Sequence, residues 1–246
     1  MNALPVPRIE VHESADDLAT AVAGAFVRLV TVRQAAGDVP DVALTGGTIA
    51  EKIHREIARL GADSDVDWSR VSFYWGDERF VAPDSDERNA KPARAEFLDV
   101  VGADPARVHE IPSTADADSV EAAADDYAAV VRGAGSGTFD LLMLGVGPDG
   151  HIASLFPGFP QLDVDDRIAV GVTDSPKPPP DRVSLTFPAL NRAGEVWFVV
   201  AGGAKAEAVG RALADTGDVH ETPARGVRGQ VATIWFLDRE AASQVP

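Results

Sequence analysis

The sequence of 246 residues contains no cysteine, which excludes disulfide bonds, thiolate catalysis and zinc sites built on cysteine. Basic residues are scarce as well, because 22 lysines and arginines stand against 39 aspartates and glutamates and the formal net charge is −17. Such a charge disfavours a general nucleic-acid binder or an anionic-membrane binder, and no cluster of basic residues provides an exception. An anionic ligand would therefore need a local concentration of the few cations.

Long apolar runs are also missing, since none approaches the roughly 20 residues that span a bilayer. The first residues lack the basic-then-apolar pattern of a signal peptide. We therefore expect a cytoplasmic protein without membrane association. A chain of this length can bury a full core, and we expect residues 1–246 to form a single domain.

Short apolar segments alternate with segments of helical periodicity along the whole chain. Helices are predicted after the N-cap residue Ser14, from residue 48, over 90–101 and over 120–132. Strands are predicted at 8–12, 41–45, 71–75, 108–112, 139–144, 168–172, 183–187, 196–200 and 231–237. This alternation indicates an α/β fold with a mostly parallel sheet and helices on both faces.

The most informative stretch, residues 139–158, joins a buried strand to a glycine-rich bend that contains Asp149 and His151. Open α/β sheets bind ligands at the carboxyl ends of such strands, so we expect the reaction centre here. Residues 145–150 match the dinucleotide fingerprint G-x-G-x-x-G. That fingerprint needs a long helix directly after it, and Pro157 and Pro160 interrupt any such helix, so a nicotinamide or flavin site is disfavoured.

Other catalytic arrangements find little support. The five histidines are scattered without an H-E-x-x-H motif, which disfavours a metal centre, and no G-x-S-x-G motif indicates a serine hydrolase. His151 remains as the candidate general base, because an ordinary imidazole pKa of about 6.5 suits proton transfer near neutrality. Asp149 would fix the imidazole tautomer or stabilise its protonated form.

Two glycine turns are candidates for binding an anion. Gly46, Gly47 and Thr48 lead from a strand into a helix, which presents backbone N–H groups to a phosphate, although a plain tight turn is equally consistent with them. Lys205 follows a second such turn, in the first turn of a helix. A cation opposes the helix macrodipole there, which favours an anionic ligand between them.

Two further segments carry charge to the same region. Asp77 and Arg79 follow the third strand, where a solvated strand end is the alternative to a binding site. Residues 175–182 contain four prolines, so they form neither a helix nor a central strand. They are either a linker between domains or a rigid arm that holds Lys177 and Arg182 over a site.

Residues 145–158, with the sequence GVGPDGHIASLFPG, closely resemble the signature of the 6-phosphogluconolactonases. Residues 46–48, 75–79, 175–182 and 202–205 resemble further motifs of this family, in the family's order, so the resemblance covers nearly the whole chain. It implies a modified Rossmann-like, three-layer α/β fold shared with glucosamine-6-phosphate deaminases and ribose-5-phosphate isomerases. It also implies hydrolysis of 6-phosphoglucono-δ-lactone without a metal or an organic cofactor.

The resemblance also implies a site in this sequence. His151 would activate the attacking water, oriented by Asp149 or by another carboxylate, and nearby donors such as the N–H groups of residues 145–150 would stabilise the oxyanion. The residues around the ligand, mostly at its phosphate, would be Gly46, Gly47, Thr48, Asp77, Arg79, Gly147, Gly150, Arg182 and Lys205.

This sequence departs from the family pattern at several positions. Ile49 and Ala50 stand where the family usually has Thr-Pro, so the turn is kept but its rigidity is in doubt. Arg88 stands where a serine usually precedes Asn89, which leaves the role of that loop open. Ile152 replaces a commoner threonine and resembles the deaminases instead.

Two alternative functions remain on the same fold. A sugar-phosphate isomerase or deaminase is disfavoured because Phe156 occupies the position of a glutamate that assists ring opening, and a phenyl ring cannot transfer a proton. A non-catalytic sugar-phosphate sensor is disfavoured because it would not need the pair of Asp149 and His151. The oligomeric state is not indicated by the sequence.

Overall fold

A computed structural model of the chain describes residues 5–133 and 137–246. Helices and strands alternate along these residues, as the sequence predicts. The strands are β1 (Arg8–His12), β2 (Asp41–Leu44), β3 (Ser72–Trp75), β4 (Asp77–Arg79), β5 (Leu141–Leu144), β6 (Ala169–Val172), β7 (Arg182–Leu185), β8 (Glu195–Val200) and β9 (Ala232–Asp238).

Six of these strands form one sheet in the order β3-β2-β5-β8-β9-β1, and every neighbouring pair in it is parallel. All residues of β2, β3 and β5 are buried. A parallel sheet covered on both faces buries its strands on both sides, which is why apolar and polar residues do not alternate along these strands.

Helices cover both faces of this sheet, so the predicted α/β fold class is confirmed. The helix α1 begins as predicted, because the hydroxyl of Ser14 accepts the backbone N–H of Asp17 at 3.2 Å. The α-helices are α1 (Ala15–Ala35), α2 (Thr48–Gly61), α3 (Ala90–Ala93), α4 (Asp99–Val101), α5 (Val120–Gly133), α6 (Phe187–Leu190) and α7 (Ala206–Leu213). A π-helical segment, Arg94–Leu98, joins α3 to α4, so residues 90–101 are helical throughout. None of the helices in the described parts of the chain is long and apolar enough to cross a membrane.

A second, antiparallel sheet of three strands was not predicted from the sequence. It has the order β4-β7-β6 and contains the predicted strands near residues 168–172 and 183–187. Residues 77–79 form its edge strand instead of a charged end of β3. The chain passes between the sheets at Gly76, whose N–H donates to Leu44 of one sheet at 3.0 Å and whose carbonyl accepts from Leu185 of the other at 2.9 Å.

The predicted strand at residues 108–112 is wrong, since only an isolated bridge between Phe73 and Val108 forms there.

The order of the parallel strands explains where a site lies. From β2 the chain proceeds to β3 on one side, and from β5 it proceeds to β8 and β9 on the other. The crevice between the carboxyl ends of β2 and β5 is therefore the topological switch point, where open α/β sheets bind ligands.

Candidate active site

A cavity of about 300 Å³ opens at this switch point. Most of the predicted site residues line it, namely Gly46, Gly47, Thr48, Asp77, Arg79, Gly147, His151, Arg182 and Lys205. Asp149 and Gly150 are not among the lining residues. Asp149 contacts Nδ1 of His151 and does not itself line the cavity. Gly150 adopts a positive φ of 92°, which allows the tight turn between Asp149 and His151.

The first loop, residues 45–48, connects β2 to α2 and brings backbone to the cavity. Gly47 is the N-cap residue of α2 with a φ of 96°, a conformation that favours glycine, and no side chain in the described parts of the chain caps this helix. The N–H groups of its first turn are therefore left without a side-chain cap at the positive end of the helix dipole, where an anion can bind. Ile49 and Ala50, which stand where the family pattern has Thr-Pro, are buried in α2. The helix nevertheless starts at Thr48. This loop has the structure of an anion site.

The second loop, residues 145–151, follows β5, and its backbone is already engaged. The N–H of Gly145 donates to the hydroxyl of Thr45 at 3.2 Å. The N–H of Gly147 donates to the carbonyl of His151 at 3.0 Å, and the N–H of Gly150 donates to the carbonyl of Gly147 at 2.9 Å. The expectation that this loop supplies N–H groups to an oxyanion is therefore wrong for these three glycines. No α-helix follows the loop, since residues 146–168 contain only a short 3-10 turn, which agrees with the rejection of a dinucleotide site.

The imidazole of His151 is held on two sides. Its Nδ1 lies 2.5 Å from Oδ1 of Asp149, and its ring packs on Phe156 with the ring centroids 4.7 Å apart. With Nδ1–H donating to the carboxylate, Nε2 is the nitrogen that carries the free lone pair. A Cβ atom at Gly147 would lie 2.0 Å from Cε1 of the imidazole, so only glycine leaves room for the ring.

Asp149 is a carboxylate with a pKa below its usual range. Burial by itself would raise this pKa, but the hydrogen bond with His151 and the positive charge of Lys177 outweigh burial. Asp149 therefore stays ionised at neutral pH, in contact with the imidazole as the acid of a catalytic triad is. The sequence left open which carboxylate orients His151, and in the structure that carboxylate is Asp149.

The predicted cations line the cavity, but they differ in the hydrogen bonds and charge interactions that they make within the protein. Arg79 donates from Nη1 to the carbonyl of Glu87, and its Nε is buried without a hydrogen-bond partner among the described residues. Lys205 closes a 3-10 turn directly before α7 rather than standing inside the helix. Burial and the positive charge of Lys177 lower the pKa of Lys205, while Asp238 opposes this change. An anionic ligand would relieve the repulsion between the two lysines.

Arg182 is buried and is largely occupied by the proline-rich segment. Its Nε donates to the hydroxyl of Ser175 and to the carbonyl of Pro179, and its Nη2 donates to the carbonyls of Lys177 and Pro178, each at 3.1 Å. The segment is therefore an arm folded over the cavity rather than a linker, and Lys177 and Pro178 line the cavity.

Asn89 and Lys177 line the cavity but were not among the predicted site residues. A Cβ atom at Gly46 would lie 1.9 Å from Oδ1 of Asn89, so the amide packs directly on the first loop. The signal for Lys177 was present in the proline-rich segment, but its sequence did not indicate which of its two cations meets the base. Asp77 also lines the cavity and accepts the hydroxyl of Ser154 at 2.6 Å.

The structure explains the departure at Arg88. This buried side chain donates from Nη2 to the carbonyl of Ile111 at 2.6 Å, and its Nε lies 3.9 Å from the carboxylate of Glu78. Glu78 in turn accepts the backbone N–H groups of Asn89 at 2.7 Å and of Ala90 at 2.9 Å. Burial raises the pKa of Glu78, and Arg88 opposes this change. Arg88 thus supports the loop that places Asn89 beside the cavity.

Among the residues that the structure describes, no group of three or more histidines and carboxylates is arranged to hold a metal ion. The cavity instead combines a carboxylate-supported imidazole, four cations and an uncapped helix N-terminus. Such a set can bind a phosphorylated compound at one end and move a proton at the other.

Comparisons with known proteins agree with this description. Residues 13–235 match the family described as glucosamine-6-phosphate isomerases/6-phosphogluconolactonases. The chain is 41% identical to a 6-phosphogluconolactonase of Streptomyces coelicolor, with 98% of this chain and 95% of that protein aligned. It is 40% identical to one of Mycobacterium leprae, with 94% and 96% aligned. The crystal structure of 6-phosphogluconolactonase from Thermotoga maritima is similar with a TM-score of 0.83 at 28% identity, covering 95% of this chain and 100% of that one.

Proposed function

The chain belongs to the family of glucosamine-6-phosphate isomerases and 6-phosphogluconolactonases, and from this premise we propose that its cavity hydrolyses 6-phosphoglucono-δ-lactone to 6-phosphogluconate. This is the hydrolytic step of the oxidative pentose phosphate pathway. The observation that carries the proposal is the pairing, in one cavity, of His151 supported by Asp149 with an uncapped helix N-terminus and cations.

The phosphate binds at the first loop. The start of α2 and the side chains of Arg79 and Lys205 line the same cavity. Together they supply hydrogen bonds and positive charge to a dianion. Binding the phosphate there holds the lactone ring toward the second loop. In a protein of net charge −17, such local cations also select an anionic substrate.

The proton transfer takes place at His151. Its Nε2 accepts a proton from water as the water oxygen bonds to C1 of the lactone, and the carbonyl electron pair moves onto the carbonyl oxygen. Asp149 keeps Nδ1–H as a donor and stabilises the imidazolium that forms. When the tetrahedral intermediate collapses, the bond between C1 and the ring oxygen breaks. The imidazolium returns the proton to that oxygen, and the new carboxylic acid ionises in solvent.

Phe156 supports hydrolysis over sugar-ring opening and deamination. Its side chain is fully buried beneath His151, and the same ring lies 5.8 Å from the guanidinium carbon of Arg182. This position therefore holds an apolar support for the base and no carboxylate that would exchange a proton with a sugar hydroxyl. The ring fixes the imidazole from below while Asp149 fixes it from the side.

One assay separates the functions that this fold allows. The protein is added to freshly generated 6-phosphoglucono-δ-lactone, and the loss of lactone is compared with the spontaneous rate in the same buffer. We expect acceleration in proportion to protein concentration and no release of ammonia from glucosamine 6-phosphate. Binding of 6-phosphogluconate without any acceleration would identify a sensor, and ammonia release would identify a deaminase; either result contradicts the proposal.

A further inference from the structure

Lys177 is the cation nearest to the candidate base. Its Nζ lies 3.1 Å from Nδ1 of His151 and 3.4 Å from Oδ1 of Asp149. The side chain is 37% exposed, so it reaches the pair from the cavity side and is not part of the core. A lysine, an aspartate and a histidine thus form one cluster at the reacting end of the cavity.

This position of Lys177 is built into the fold. The hydroxyl of Ser175 donates to the carbonyl of Lys177 at 2.7 Å, and the guanidinium of Arg182 donates to that carbonyl at 3.1 Å. The N–H of Ser175 donates to the carbonyl of Pro180 at 3.0 Å, which closes the arm on itself. Arg182, although predicted to bind the ligand, therefore mainly fixes the backbone from which Lys177 extends.

The hydrogen bonds decide what the ammonium group does in this cluster. The bond of 2.5 Å between Nδ1 and Asp149 uses the proton on Nδ1, so the ammonium cannot donate to that nitrogen. It donates to the carboxylate instead, and its charge lies beside the imidazole. Lys177 and Asp149 then neutralise each other while the imidazole is neutral, whereas an imidazolium would leave the cluster with an uncompensated positive charge.

We propose that Lys177 is a positioning residue that keeps His151 unprotonated in the free protein, so that the imidazole is available as a base. Asp149 alone would favour the imidazolium and would thereby block proton uptake from water. With the ammonium sharing the carboxylate, the imidazolium becomes favourable only when negative charge develops on the attacked lactone. In the presence of Lys177, the ion pair between Asp149 and the imidazolium of His151 therefore stabilises the transition state and not the free protein. The inference rests on the proposed hydrolysis for its role in turnover, but not for its effect on the free protein.

Other charged groups reach the cluster less directly. Lys205 interacts with Lys177 through its charge from the start of α7, and Arg79, Asp77 and Arg182 line the same cavity. The imidazole also packs on the uncharged ring of Phe156. Among the described residues, Asp149 and Lys177 are the charged groups whose atoms lie within 3.5 Å of the imidazole, and they also contact each other. A substitution at Lys177 therefore tests directly how its charge affects the protonation of His151.

The first experiment follows His151 in the free protein by NMR. The ring signals of the histidines are titrated in the wild-type protein and in Lys177→Met and Lys177→Arg, and the His151 signal is the one missing from His151→Gln. Methionine keeps the length and removes the charge, so we expect the His151 midpoint to move to higher pH by about one unit. Arginine keeps the charge, so we expect less than half of that shift. Equal midpoints in the wild-type protein and in Lys177→Met would overturn the inference.

The second experiment measures kcat/KM for the lactone against pH. The acidic limb of this profile reports the essential base of the free enzyme, so we expect it to move in Lys177→Met by the same amount as the NMR midpoint. A higher KM with an unmoved limb and midpoint would make Lys177 a substrate-binding residue only and would contradict the inference. Thermal unfolding of each variant verifies that it is folded.

These two experiments separate this inference from the proposed function. If the wild-type protein does not accelerate lactone loss, the proposed function fails, and the NMR titration still tests the role of Lys177. If the wild-type protein is active and the titrations of Lys177→Met and wild-type protein coincide, the proposed function stands and this inference fails.

Discussion

Two glycine-rich loops meet at the switch point of the sheet, and one glycine of each, Gly47 and Gly147, is required for a different reason. In the first loop Gly47 has a φ of 96°, and a Cβ atom there would meet nothing within 4 Å. In the second loop Gly147 has no positive φ, but a Cβ atom there would lie 2.0 Å from His151. The first glycine is required by backbone conformation and the second by space for a side chain.

The backbones of the two loops differ in the same way. The first loop leaves the N-terminus of α2 without a side-chain cap. In the second loop the N–H groups of Gly147 and Gly150 bond within the loop, and the N–H of Gly145 bonds to Thr45 of the first loop. One loop therefore offers its main chain to a ligand, and the other uses its main chain to aim His151. Changes in the second loop should affect turnover, and changes in the first loop should affect binding.

The largest effect is expected for His151→Ala. Removing the general base should lower kcat by about 10²–10⁴-fold, while 6-phosphogluconate still binds because the phosphate contacts remain. Steady-state kinetics and calorimetric binding of the product measure the two effects. Turnover close to that of the wild-type protein would remove His151 from the mechanism.

The helix α2, which follows the first loop, contains the buried histidine His54, whereas β5, which precedes the second loop, consists of apolar residues only. Burial, with a smaller contribution from Arg55, lowers the pKa of His54 to about 4, and neither ring nitrogen has a hydrogen-bond partner among the described residues. On acidification His54 binds a proton in the unfolded chain near pH 6.5, but in the folded protein only near pH 4. The contribution of His54 to the free energy of unfolding is therefore complete above pH 6.5 and decreases until the pH reaches about 4. The loss attributable to His54 should be about 3 kcal/mol.

Urea unfolding at pH 7.5 and pH 4.5 in the wild-type protein and in His54→Leu measures this contribution. Leucine cannot be protonated, so the variant should lose less stability between the two pH values. An equal loss in both proteins would show that other groups cause the acid sensitivity.

Gly147→Ala should affect turnover and not binding. The added Cβ would displace the imidazole by an ångström or more, and such a misplacement costs about 10²-fold in kcat. The affinity for 6-phosphogluconate should change little. A variant with weakened binding and normal kcat would mean that the second loop is part of the phosphate site.

Lys205→Ala should affect binding and not turnover. Loss of one charge-assisted hydrogen bond to a phosphate costs about 1.5–3 kcal/mol, which corresponds to a weakening of roughly 10-fold or more in the Kd of 6-phosphogluconate. Unphosphorylated gluconate serves as the control ligand and should be unaffected. Unchanged affinity together with a lost kcat would reverse the roles assigned to the two ends of the cavity.

Gly47→Ala should have the smallest effect and is the matched partner of Gly147→Ala. The same methyl group is added, but it meets open space, so the cost is backbone strain of about 1–2 kcal/mol. We expect a slightly lower melting temperature, a moderately higher KM and an unchanged kcat. A loss of kcat as large as that of Gly147→Ala would remove the distinction between the loops.

The family and most of the elements were predictable because their signals are local. An apolar run of strand length, an N-cap serine or a glycine at a strand end depends on neighbouring residues alone, so β2, β5, α1 and α2 lie where the sequence predicts them. The signature around His151 also indicated the base, and its contact with Asp149 needs only two residues of separation.

The second sheet was not predictable from such patterns. Alternation along residues 168–172 and 183–187 predicts strands but does not indicate which partners they pair with. The structure pairs β7 antiparallel with residues 77–79 on one side and with β6 on the other, after the chain changes sheets at Gly76. The sequence likewise left the role of the loop at Arg88 open, and only the tertiary structure shows Arg88 buried against Glu78 and Ile111.

The sequence by itself therefore determined the fold class and the family, and it predicted His151 as the base and the glycine turn at the first loop. The tertiary structure decided how the cations are used, because Lys177 and Arg182 stand five residues apart on one arm, and only packing shows which of them contacts the base. Arg182 is turned toward the carbonyl groups of the arm, and Lys177 is turned toward His151, 26 residues away in the chain. Side-chain direction and hydrogen-bond partners across such distances depend on how the sheets and loops pack, and no local pattern encodes them.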